Sequence, residues 1–62
     1  MIKIGDLVTL PLYGDSGIVI EILEQAIDDF ELEDSITMLA EVYWQHMGRS
    51  RLELVSDLRK IN

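Results

Sequence analysis

From Ile36 to Gln45 the chain alternates: Met38, Ala40, Val42 and Trp44 fall on one parity, Leu39, Glu41, Tyr43 and Gln45 on the other. Side chains of a strand point to opposite faces in turn, so this pattern predicts a strand with Met38, Ala40, Val42 and Trp44 against a core. Tyr43, beside Glu41 and Gln45, is expected outside. A strand of this kind needs neighbours on both edges, and the rest of the sequence is read for them.

Leu7-Val8-Thr9-Leu10 forms a first apolar run, closed by Pro11, the chain's one proline, which suits the end of an edge strand. Gly14-Asp15-Ser16-Gly17 is a compact turn signal. After it, Ile18 to Leu23 is β-branched and alternating, and predicts a strand with Ile18, Ile20 and Ile22 inward. His46-Met47-Gly48-Arg49-Ser50 reads as a hairpin loop with glycine near its tip. Arg51-Leu52-Glu53-Leu54 alternates again, which predicts Leu52 and Leu54 inward. Val55-Ser56-Asp57-Leu58 suits a short turn of 3₁₀ helix before a last strand, Arg59 to Asn62.

Residues 24–35 admit two readings. As a helix, Ala26, Ile27 and Phe30 share a face; as a strand, Phe30 and Leu32 oppose Asp29, Glu31 and Glu33. Consecutive acids disfavour a short helix that is marginal in any case, so an acidic loop or hairpin insertion between strands is expected. The whole, residues 1–62, then reads as one all-β domain: a small, closed or nearly closed five-stranded barrel with a 3₁₀ turn before the last strand. Closing a sheet on itself removes the edges that invite aggregation.

Sixty-two residues allow one domain, and a chain this short buries only about 60% of its unfolded surface. Hydrophobic residues make up 48% of it, which supports a packed core. It has no cysteine, so disulfides and thiolate metal sites are excluded and a reducing compartment is expected. No apolar run approaches the ~18 residues of a membrane span, and the opening Met1 to Asp6 lacks the basic and apolar regions of a signal peptide. A cytoplasmic protein with no membrane partner is the expectation.

Net charge is −7 and unevenly spread. Residues 21–41 hold eight acids and no base, whereas 42–62 hold Arg49, Arg51, Arg59 and Lys60 against Glu53 and Asp57. Nucleic-acid affinity depends on neutralising phosphates, so a chain this acidic is a poor general DNA or RNA binder.

The opening Ile4-Gly5-Asp6-Leu7-Val8 and the turn Gly14-Asp15-Ser16-Gly17-Ile18-Val19 carry a resemblance, together with Ala40-Glu41-Val42-Tyr43-Trp44, Gly48-Arg49-Ser50 and Ser56-Asp57-Leu58-Arg59-Lys60-Ile61. They resemble small SH3-like barrel proteins of tailed bacteriophages, of the marine cyanophage type, many of unknown role. The likeness spans nearly the whole chain except residues 24–35, and rests on turns and core positions. It implies a viral protein acting in the host cytoplasm or carried in the virion. It does not fix function, because such folds host RNA binders, peptide binders and enzyme-associated subunits.

Signals of chemistry are few. Gly14-Asp15-Ser16-Gly17 matches the nucleophile segment of chymotrypsin-like proteases, yet such a site needs a histidine base and an orienting acid on a far larger scaffold. The chain's one histidine, His46, lies in another loop, and a turn is the expected reading. Asp29, Glu31 and Glu33 stand at the first, third and fifth places of a calcium loop, but Asp34 and Ala40 occupy the places of its glycine and its glutamate. There is no phosphate loop or dinucleotide fingerprint. No enzyme, cofactor or metal is expected.

A non-enzymatic protein-interaction module is the leading expectation. Tyr13, Tyr43 and His46 with Arg49 and Arg51 are the candidate partner-binding residues, facing a host or viral protein. The acidic insertion is a second candidate surface, and a homo-oligomer could form through Phe30, Leu12 and Met47. Two alternatives stand beside it: a nucleic-acid binder using Arg49, Arg51, Arg59 and Lys60 with Tyr43 as stacking platform, or an acidic nucleic-acid mimic that blocks a host protein.

Overall fold

The computed structural model describes residues 1–12, 14–27 and 35–61. It contains β1 (Leu7–Thr9), β2 (Ser16–Ile27), β3 (Ser35–Trp44), β4 (Arg49–Leu54) and β5 (Arg59–Lys60), with one 3₁₀ turn, Val55–Asp57, before β5. The strands form one antiparallel sheet in the order β4-β3-β2-β1-β5. This is the expected all-β, five-stranded SH3-like barrel with its 3₁₀ turn in the expected place.

The turns follow from their residues. Ser16 N–H donates to the Asp15 carboxylate at 2.9 Å, and the Thr9 hydroxyl donates to the Asp15 carbonyl, tying the start of β2 to the end of β1. Between β3 and β4, the Met47 and Gly48 N–H groups both donate to the Trp44 carbonyl, at 3.2 and 2.9 Å. Gly48 turns the chain at φ +67°, a conformation that costs an L side chain and not glycine.

Val8, Val19, Ala40, Val42, Trp44 and Leu58 form the buried core, with Ile2, Leu10, Ile22 and Val55 packed against it. Three of the four residues expected inward on β3 are there. The fourth, Met38, is part-exposed, because the core ends at Ala40 while β3 runs on. From Glu24–Met38 to Ile27–Ser35, β2 and β3 pair only with each other, as a two-stranded ribbon leading away from the core. Residues 24–27 and 35 of the expected insertion belong to this strand pair. A helix starting at residue 24 is excluded, since residues 24–27 are strand; residues 28–34, Phe30 among them, lie outside the described residues.

Two inward assignments are corrected. Ile18, Ile20 and Ile22 do not share a face. The register against β3 shifts between Val19 and Glu21, so Ile20 is an extra residue in β2 and the parity flips across it. Val19 fills the core in their place, Ile22 packs beside it, and Ile20 stays 42% exposed. Leu52 and Leu54 are also outside, not inside. The turn that puts Arg49 opposite Trp44 also sets Arg51 against Val42 and Glu53 against Ala40. Cross-strand partners share a face, so Arg51 and Glu53 take the core side and the leucines the outer one.

Candidate interaction surface

The β3 register defines an outer face three strands wide. Ile18, Tyr43 and Ser50 make one row across β2, β3 and β4; Glu21, Glu41 and Leu52 the next; Leu23, Leu39 and Leu54 the third. These are the residues opposite in parity to the core. Leu52 is 55% exposed, and Leu23, Tyr43 and Leu54 about 40%. A soluble antiparallel sheet ordinarily turns a polar face to water. Here six of the nine positions in the three rows are large and apolar.

The acids on this face are placed at its middle. Glu21 stands directly opposite Glu41, and the Glu41 carboxylate accepts a hydrogen bond from the Ser50 hydroxyl at 2.6 Å. The cations lie elsewhere: Arg49 and Arg51 on the core-side parity of β4, Arg59 and Lys60 on β5, Lys3 before β1 and His46 in the β3–β4 turn.

The five candidate binding residues are not brought to one place. Tyr43 is exposed, as expected, but on the outer face, whereas Arg49 and Arg51 belong to the other side of the sheet. Trp44 is fully buried and unavailable to a surface groove. His46 and Arg51 meet Asp15 and Met47 around a shallow depression at the turn end of the sheet. Arg51 there also lies 3.7 Å from the Glu53 carboxylate. Tyr13 lies outside the described residues. Leu12 is 96% exposed and Met47 part-exposed, as their surface placement predicted.

A second concave feature lies between the segment after β1 and the 3₁₀ turn. Leu10, Pro11 and Leu12 face Ser56, Asp57, Leu58 and Arg59, with Glu53 beside them, around an open groove of about 510 Å³. It joins one apolar wall to a wall carrying an acid and a base, which suits contact with an extended peptide more than a reaction centre.

Sequence reasoning missed Leu52 and Leu54 as surface residues. The signal available was Leu39 and Tyr43, two large apolar residues on the outward parity of the best-defined strand. The length of the β3–β4 turn, which links Trp44 to Arg49, was the missing piece.

Elsewhere the charges tie the fold together. Asp6 accepts the Lys3 N–H at 2.8 Å and lies 3.6 Å from the Lys60 ammonium, linking the chain start to β5. The Lys3 hydrogen bond, helped by the positive charges of Lys60 and Lys3, holds the Asp6 carboxyl below its ordinary range against the opposing effect of desolvation. Among the described residues, no group of three histidine, aspartate or glutamate side chains is placed to hold a metal ion, and no helix is long and apolar enough to cross a membrane.

No model of a known protein family, no curated protein and no solved structure matches this chain.

Proposed function

We propose that the protein is a non-enzymatic interaction module whose working surface is the outer face of β2, β3 and β4. The observation that carries this reading is the inversion on β4. A 62-residue chain builds only a small core, yet β4 gives Leu52 and Leu54 to water and turns Arg51 and Glu53 toward the core side. Burying a leucine side chain stabilises by roughly 1.5–3 kcal/mol, so leaving several on one surface forgoes stability unless another molecule covers them.

The resemblance to small phage barrels supports a role as an accessory protein acting on a host or viral protein, in the host cytoplasm or the virion. Nucleic-acid binding is the weaker reading, because the chain carries a net charge of −7 and Lys60 is engaged by Asp6.

Affinity capture with two baits tests the proposal: the native chain, and a variant carrying Leu52→Glu and Leu54→Glu. Both positions are already exposed, so the variant is expected to keep the native circular dichroism spectrum. Proteins retained by the first bait and lost from the second support the reading. Identical retention by both overturns it.

A further inference from the structure

Resting on the reading above, we infer that the outer face receives a basic amphipathic helix of a partner protein, its cations meeting the Glu21–Glu41 pair. Three observations lead there: charge, area and shape.

Charge comes first. Glu21 and Glu41 face each other across β2 and β3, an arrangement that like charges disfavour. Ser50 fixes the Glu41 carboxylate at 2.6 Å, and every other position in the three rows is apolar. No described lysine, arginine or histidine occupies a position on this face. A lysine or arginine brought by a partner would turn the unfavourable pair into a favourable triad, strengthened as the surrounding leucines exclude water.

Area argues against a second copy as the occupant. Three strands spaced about 4.8 Å apart and six residues long at about 3.3 Å each make a patch of roughly 300 Å². A standard stable interface takes about 800 Å² from each partner. Two copies stacked face to face would also bring four glutamates together, in a chain of net charge −7.

Shape selects the helix. The patch is roughly 15 Å wide and 20 Å long, whereas a helix is about 10–12 Å across and covers 20 Å in about 13 residues. Such a helix lays residues i, i+3, i+4 and i+7 along one stripe, matching the rows of Ile18 and Tyr43 and of Leu23, Leu39 and Leu54 on either side of the acids.

The test uses a synthetic 14-residue helical peptide with a leucine stripe flanked by lysines, and a second peptide with each lysine replaced by glutamate. Binding to the full chain is read by fluorescence anisotropy, and the site by amide exchange. The lysine peptide is expected to bind at least about tenfold more tightly than the glutamate peptide, and to protect β2, β3 and β4. Glu21→Gln with Glu41→Gln should weaken it about tenfold, while Glu24→Gln with Asp57→Asn, which removes the same charge elsewhere, should not. Equal binding of both peptides, or protection confined to residues 59–61, overturns the basic-helix assignment. If neither peptide binds while the Leu52/Leu54 variant still loses proteins in capture, the partner chemistry is wrong and the interaction reading stands. If capture shows no difference either, both fall. Light scattering that gives a dimer dissociated by Leu52→Glu would assign the face to a second copy instead.

Discussion

The indole Nε1 of Trp44 donates to the Glu53 carboxylate at 3.1 Å, from one strand of the β3–β4 pair to the other. Trp44 is the largest fully buried side chain among the described residues, and its N–H is the polar atom that its burial must satisfy. An acid on the core-side parity of β4 is thereby explained: Glu53 is half-buried because it supplies the acceptor. Replacing it with leucine adds apolar volume but leaves the indole N–H without a partner, at a cost of about 1–3 kcal/mol. Replacing it with glutamine keeps an acceptor and loses only the exposed side of the Arg51 pair, worth about 0–1 kcal/mol. In a domain this small 1 kcal/mol moves Tm by about 4–8 °C. Thermal denaturation should therefore place E53Q close to the native chain and E53L well below it. Equal losses in the two variants would sink the argument.

Gly17 is wedged between β1 and β3, opposite Val8 on one side and Trp44 on the other. A Cβ there would sit 2.5 Å from Val42 Cγ1 and 2.8 Å from both Trp44 Cε3 and the Tyr43 carbonyl oxygen. Because one of these is backbone and another a ring locked in the core, the strain cannot be relieved by a side-chain swing. Gly17→Ala is expected to lose about 1–3 kcal/mol through overpacking alone, its φ being ordinary. Gly48→Ala has open space around it and loses about 1 kcal/mol for the opposite reason, its φ of +67°. Solving the two variants separates the causes. The core should shift around residue 17, while only the β3–β4 turn should change around residue 48.

The fold class was legible because its signals are local and redundant. Strand period at Ile36–Gln45, turn glycines at 14 and 48, and the Val55–Asp57 turn each stand without knowledge of the others. The inward set of β3 was legible for the same reason. What failed was parity carried across an irregularity. A bulge leaves no mark in the run Ile18 to Leu23, where five of six residues are apolar and every register looks equally good. The parity of β4 depends on how many residues the turn after Trp44 consumes, and both choices offer an alternating strand. The outer face was missed as a consequence, since Leu52 and Leu54 had already been assigned to the core.

The bulge itself can be tested by comparing neighbours. If Val19 is the core residue and Ile20 the extra one, Val19→Ala removes two buried carbons and costs about 2 kcal/mol, from the transfer of each at about 0.8 kcal/mol with some cavity added. Ile20→Ala removes more carbon from a side chain 42% exposed, and should cost less than about 1 kcal/mol. Urea denaturation of both, at equal m-value, gives the order. Ile20→Ala as the more damaging change would return the strand to the uninterrupted register.

Asp6 gives the fold a defined response to acid. Its folded carboxyl is held below the ordinary value of 3.8, chiefly by the Lys3 N–H and also by Lys60. The folded state therefore binds this proton less readily than the unfolded chain does. Its contribution to stability is complete above the ordinary aspartate range and fades as pH falls from that range through the lower folded value. Asp6→Asn cannot titrate and cannot pair with Lys60. Thermal denaturation should find it less stable than the native chain near neutral pH, with the difference shrinking in acid, as pH falls below the ordinary aspartate range. Salt should narrow the neutral-pH gap only partly, since it screens the Lys60 charge but leaves the Lys3 hydrogen bond in place. A gap of the same size in acid and near neutral pH would mean that Asp6 holds the chain start to β5 by shape alone, without its charge.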